Sequence, residues 1–96
     1  MKAYVLLNTE FGYATDVTDA LDNIKEIKNI YNLYGVYDFI VEVEAETVQK
    51  IKDLVTEEIR RIDNVNSTIT LLTYGKSIFN EWTINYLFFS VIFQQD

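Results

Sequence analysis

Residues 27–45 read IKNIYNLYGVYDFIVEVEA, and their pattern decides the fold. In the second half Tyr37, Phe39, Val41 and Val43 alternate with Asp38, Ile40, Glu42 and Glu44, the period of two that puts successive strand side chains on opposite faces. A second β-forming run, IKNIYNLY, precedes Gly35. A glycine between two such runs marks a turn, because it alone enters positive φ without steric cost. The segment is a hairpin with Gly35 near its turn.

Outward from the hairpin, the flanks supply one β-α unit before it and one α-β unit after it. Residues 3–9, AYVLLNT, are rich in β-formers and run into polar Asn8, Thr9 and Glu10 before the break at Gly12. From Asp16 the apolar residues Val17, Ala20, Leu21 and Ile24 follow helical spacing, with Thr15 or Asp16 available to cap the first turn. Thr47 is the N-cap of a second helix, whose stripe Val48, Ile51, Leu54, Val55, Ile59 and Ile62 opposes Lys50, Lys52, Asp53, Glu57, Glu58, Arg60 and Arg61. Asp63-Asn64 ends it. VNSTITLLTY then returns as a strand, with Thr68, Thr70 and Leu72 on one face and Ile69, Leu71 and Thr73 on the other. The order β-α-β-β-α-β predicts an α+β, ferredoxin-like antiparallel sheet with both helices on one face. The opposite, apolar face requires a cover, and a second copy packed sheet to sheet gives a dimeric α/β barrel.

Composition narrows the chemistry. The 96 residues make one small domain with a net charge of −7 and neither cysteine nor histidine. Disulfides, thiolate metal sites, thiol nucleophiles and the usual proton shuttle are therefore ruled out. No catalytic residue, no metal site and no cofactor is expected. Basic residues do not cluster beyond Arg60-Arg61, which predicts no direct nucleic-acid binding. The alternating Glu42, Glu44 and Glu46 read as a solvated face rather than a cation site. The apolar run Ala3–Leu7 is too short for a signal-peptide core. The run Trp82–Phe93 falls short of the roughly 18 residues a membrane span needs. A cytoplasmic protein without membrane contact is expected.

Three pieces of sequence carry a family likeness. They are Tyr31 four residues before Gly35, the Gly-x-Tyr-Asp turn of Gly35, Val36, Tyr37 and Asp38, and the late sequence Ile62, Val65, Thr68, Thr70. In this order and frame the chain, over about residues 2–75, resembles the effector-binding domain of the Lrp/AsnC, or feast/famine, transcription regulators. The family places a small serine or threonine where this chain has Tyr34, a departure that bears on pocket size and ligand choice. The resemblance implies a homodimer with back-to-back sheets, further assembly often into octameric rings, and amino acid effectors bound between neighbouring dimers. It also implies partnership with full-length regulators of the family. Because the first strand begins at Ala3, the expected form is a stand-alone sensor domain without a helix-turn-helix.

On that footing the candidate ligand-binding residues are Tyr34, Gly35, Val36, Tyr37, Asp38, Thr68 and Thr70. An amino acid needs an acceptor for its ammonium, which Asp38 offers, and donors for its carboxylate, which Thr68 or Thr70 offers. The plainer readings are a turn glycine at Gly35, a turn-capping acid at Asp38 and strand filling at Thr68 and Thr70. The competing functional reading is a cofactor-independent enzyme of the dimeric α+β barrel type, a monooxygenase or isomerase, in which tyrosines and a carboxylate do acid/base work. Residues 1–75 are expected to form the ligand-binding and oligomerisation domain. Residues 76–96, KSIFNEWTINYLFFSVIFQQD, form an apolar extension whose alternating Trp82, Ile84, Tyr86 and Phe88 favour an added strand.

Overall fold

The computed structural model describes residues 1–73; the expected C-terminal strand lies outside the described residues. The elements are β1 (Lys2–Thr9), α1 (Ala14–Asp22), β2 (Ile27–Asn32), β3 (Phe39–Glu44), α2 (Val48–Leu54), which continues as a π-helical turn (Val55–Ile59), and β4 (Val65–Leu72). The four strands form one antiparallel sheet in the order β2-β3-β1-β4. This is the expected ferredoxin-like α+β arrangement.

Strand alternation separates two apolar clusters. Val5 and Leu7 of β1 and Phe39, Val41 and Val43 of β3 meet Val17 and Leu21 of α1 and Leu54, Val55 and Ile59 of the second helix. Both helices thus cover one face of the sheet. On the other face Leu6, Ile40 and Ile69 are buried, with Tyr4, Leu33, Tyr37 and Leu71 packed against them. Register keeps the faces in step, since Leu7 pairs with Phe39, Leu6 with Ile40 and Val5 with Val41. Near the second cluster, burial and then the Glu42 charge raise the Tyr4 phenol above its ordinary pKa.

Four expectations are corrected. Tyr37 does not share a face with Phe39, because β3 begins only at Phe39 and residues 33–38 form a closed loop. Pleat alternation cannot be counted back through it. Helix α1 begins at Ala14, with Tyr13 as N-cap and no side-chain capping bond, so Thr15 and Asp16 lie inside the first turn. Glu42 is not a solvated charge: its side chain is only 12% exposed and pairs with Lys2 at 3.4 Å, while Asn29 Nδ2 donates to it at 2.6 Å. The second helix is not uniformly α, since the Arg60 N–H reaches the Val55 carbonyl at 2.8 Å, an i→i+5 bond. In an α-helix, steps of four residues drift by about 40°. The wider turn offsets that drift, so Ile51, Val55 and Ile59 all stay buried.

Thr47 does cap α2, accepting the Lys50 N–H at 3.1 Å. The pair of caps makes a test. Thr47→Ala should cost about 1 kcal/mol in urea unfolding, whereas Thr15→Ala should stay within about 0.5 kcal/mol, as for surface substitutions that remove no cap.

Candidate functional site

Two loops meet beyond the end of β1. In the first turn the Tyr13 N–H donates to the Glu10 carbonyl at 3.1 Å and Gly12 has φ of 88°. A closed four-residue turn with positive φ at its third position needs glycine. Phe11, beside it, is left 98% exposed. The second loop, residues 33–38, is closed by the Leu33 N–H on the Asp38 carbonyl at 2.8 Å, and Gly35 takes φ of 137°. Tyr34 is fully exposed and Val36 largely so.

Asp38 ties the two loops to the sheet. Its N–H donates to the Leu7 carbonyl at 3.0 Å, and its carboxylate Oδ2 accepts the Thr9 N–H at 2.8 Å and the Thr9 hydroxyl at 3.4 Å. The result is an open groove of about 490 Å³, with Thr9, Glu10, Phe11, Tyr34 and Asp38 among its walls. We call it the tip groove. Glu10 is itself held, its N–H on the Asn64 carbonyl at 2.8 Å and its carboxylate on Asn66 Nδ2 at 3.2 Å. Asn66 is the unpaired residue where the β1–β4 register shifts, a bulge that turns it towards Glu10.

Thr68 and Thr70 belong elsewhere. They line a groove of about 560 Å³ between β4 and the second helix, together with Lys52, Thr56 and Arg60. The two grooves share no lining residue. Strand β1 separates them, because Leu7 pairs with Phe39 on one side and with Thr68 on the other. Two inter-strand spacings put Thr68 about 10 Å from Phe39, the strand residue that follows Asp38. Within one chain, then, Tyr34 and Asp38 share a groove, Gly35 and Val36 are exposed loop residues, Tyr37 packs on the sheet face away from the helices, and the two threonines line a separate groove. Glu10, Phe11, Lys52 and Arg60 complete the grooves without having been singled out in the sequence. Gly12 was the one signal that pointed to the first pair.

A family model described as the Lrp/AsnC ligand binding domain matches residues 2–79. Among solved structures, FFRP-DM1 is 33% identical with a TM-score of 0.73, covering 76% of this chain and 97% of its own. The hypothetical protein PHS023 from Pyrococcus horikoshii is 32% identical with a TM-score of 0.72, covering 78% of this chain and 90% of its own. The transcriptional regulator NMB0573 of Neisseria meningitidis, solved as a complex with L-Met, has the same fold at 13% identity and a TM-score of 0.69, over 82% of this chain and 52% of its own. No curated protein matches the sequence.

The Thr9–Asp38 bonds make a structural role for Asp38 measurable. Asp38→Ala strands the Thr9 N–H and should lower unfolding free energy by about 1 kcal/mol, the low end for a lost partner because the site is partly exposed. Asp38→Asn, which keeps an acceptor oxygen, should lose less. Urea titration of both variants reads the difference, and equal loss would show that the acceptor is not what matters.

Proposed function

The chain belongs to the Lrp/AsnC ligand-binding domain family, and from that premise we propose that it is a non-enzymatic module that senses an amino acid and self-associates. The observation that carries this reading is the tip groove, where Asp38 is fixed by Thr9 and presents a carboxylate at an open cavity. An ammonium group is the natural guest of such an acceptor. The L-Met bound to the fold neighbour from Neisseria meningitidis supports an amino acid as the ligand class.

An α-amino acid carries its ammonium and carboxylate on one carbon, so it cannot span the two grooves of a single chain. The reading that uses all the candidates is an effector held between copies. One copy offers Asp38, with Tyr34, Gly35 and Val36 around it; the other offers Thr68 and Thr70, with Lys52 and Arg60 to neutralise the carboxylate. Tyr37 contributes through the apolar sheet face on which the copies pair back to back, beside Leu6, Ile40 and Ile69. Full-length regulators of the family are the proposed hetero-partners. We place the module in the cytoplasm, where such regulators meet both metabolites and DNA.

Three outcomes test this. Light scattering at micromolar concentration should give a dimer or larger particle, and a clean monomer of 11.2 kDa would remove the inter-copy site. A metabolite screen by native mass spectrometry should recover an unmodified amino acid. For that ligand Asp38→Asn should weaken binding tenfold to a hundredfold, since a charge-assisted hydrogen bond contributes roughly 1.5–3 kcal/mol, with only a small shift in melting temperature. Unchanged affinity would leave Asp38 a structural residue. The isolated chain, at −7, should also show no duplex DNA binding tighter than roughly micromolar at physiological salt.

A further inference from the structure

The two most exposed aromatic side chains of the described residues sit on different loops, yet they flank one cavity. Phe11 is 98% exposed and Tyr34 fully exposed, and both line the tip groove. Among the described residues, the charged side chains of that groove are Glu10 and Asp38, and no lysine or arginine lines it. Aromatic ring faces carry negative potential and attract cations, most strongly where carboxylates stand beside them. The same surroundings repel a carboxylate, and a neutral apolar guest would strip water from the acids without replacing it.

The groove also holds one more carboxylate than an α-ammonium needs. Asp38 is the inner one, partly buried and fixed on Thr9. Glu10 is the outer one, exposed, and among the described residues its carboxylate is held by Asn66 alone, at 3.2 Å. With Asp38 engaged by the α-ammonium, Glu10 and the two ring faces remain for a second positive charge. We infer that the ligand of the tip groove carries a cationic side chain, an ammonium or guanidinium group, recognised by Glu10, Phe11 and Tyr34. This inference rests on the reading of the tip groove as the effector site and names the ligand class within it.

Calorimetric titration of the full chain, with its oligomeric state checked first, separates the two. The probes are L-lysine, L-arginine, L-norleucine, which has the lysine chain without its terminal ammonium, and cadaverine, which has the two ammonium groups without the carboxylate. Lysine or arginine should bind at least tenfold tighter than norleucine. Glu10→Gln should remove most of that preference, and Phe11→Leu should weaken the cationic ligand several-fold while leaving norleucine unchanged. Both positions are exposed, so neither variant should disturb folding. Norleucine binding as tightly as lysine would overturn the cationic inference and leave the amino acid site standing. A preference that survives intact in Glu10→Gln would overturn the assigned recognition. Cadaverine binding without any amino acid binding would support the cationic groove and overturn the amino acid reading, and no binding by any probe would overturn both.

Discussion

Strand β1 must have both of its backbone edges hydrogen-bonded, and the rest of the molecule is arranged around that demand. A central strand with apolar residues on both faces cannot leave its amides and carbonyls unpaired. β3 satisfies one edge and β4 the other. Where the ladder with β3 runs out, Asp38 takes over: its N–H serves the Leu7 carbonyl and its carboxylate serves the Thr9 N–H. One residue thus finishes the strand with its main chain and its side chain together. The tip groove is a by-product of that finish. Its inner wall stands on a strand end and not on a free loop, the kind of support that keeps a side chain in place.

The sheet's two faces have different chemistry for the same reason. Odd-numbered residues of β1 and β3 pack beneath the helices, and even-numbered ones form the second cluster with Ile69. That second face is not purely apolar. Glu42, paired with Lys2 and bonded by Asn29, sets a polar group near the ring of Tyr4. A surface with an apolar strip and one fixed charged pair accepts fewer orientations of a partner than a uniform one does. Orientation is what separates a defined pair of copies from indiscriminate association.

Much of this was legible in the sequence where a periodic signal was long enough to read. The alternation from Phe39 to Glu44, the stripe from Ile51 to Ile59 and the Thr47 cap all have the roles their spacing predicts. The failures fall at boundaries. Tyr37 continues the alternation on paper, but the chain there is a loop, and a period of two has no meaning outside a pleat. Thr15 has the chemistry of a cap, yet the turn at Gly12 starts the helix one residue before it. Motif spacing proposed Asp38 and the two threonines as site residues but could not report that β1 stands between them. Phe11 escaped notice because a single exposed aromatic belongs to no pattern. Its position became informative only when the fold brought it to the same groove as Tyr34.

The π-helical turn sets the rotational phase of everything that follows it on the second helix. Lys52, Thr56 and Arg60 are spaced by fours, and a regular α-helix would swing each successive member of that row further around the axis. The wide turn holds the row in line with β4, so that the three side chains edge one groove. An irregular turn of this kind amounts to one surplus residue in the helix. Excising one residue from this stretch would restore regular α-helical winding and leave Arg60 seven residues after Lys52, within about 20° of it around the axis. Ile59 would likewise stand seven residues after Ile51, still on the buried face; it is the extra residue without the wide turn that would swing both away. The helix gives up regularity over a single turn, and in exchange its buried row and its basic row stay aligned with their neighbours.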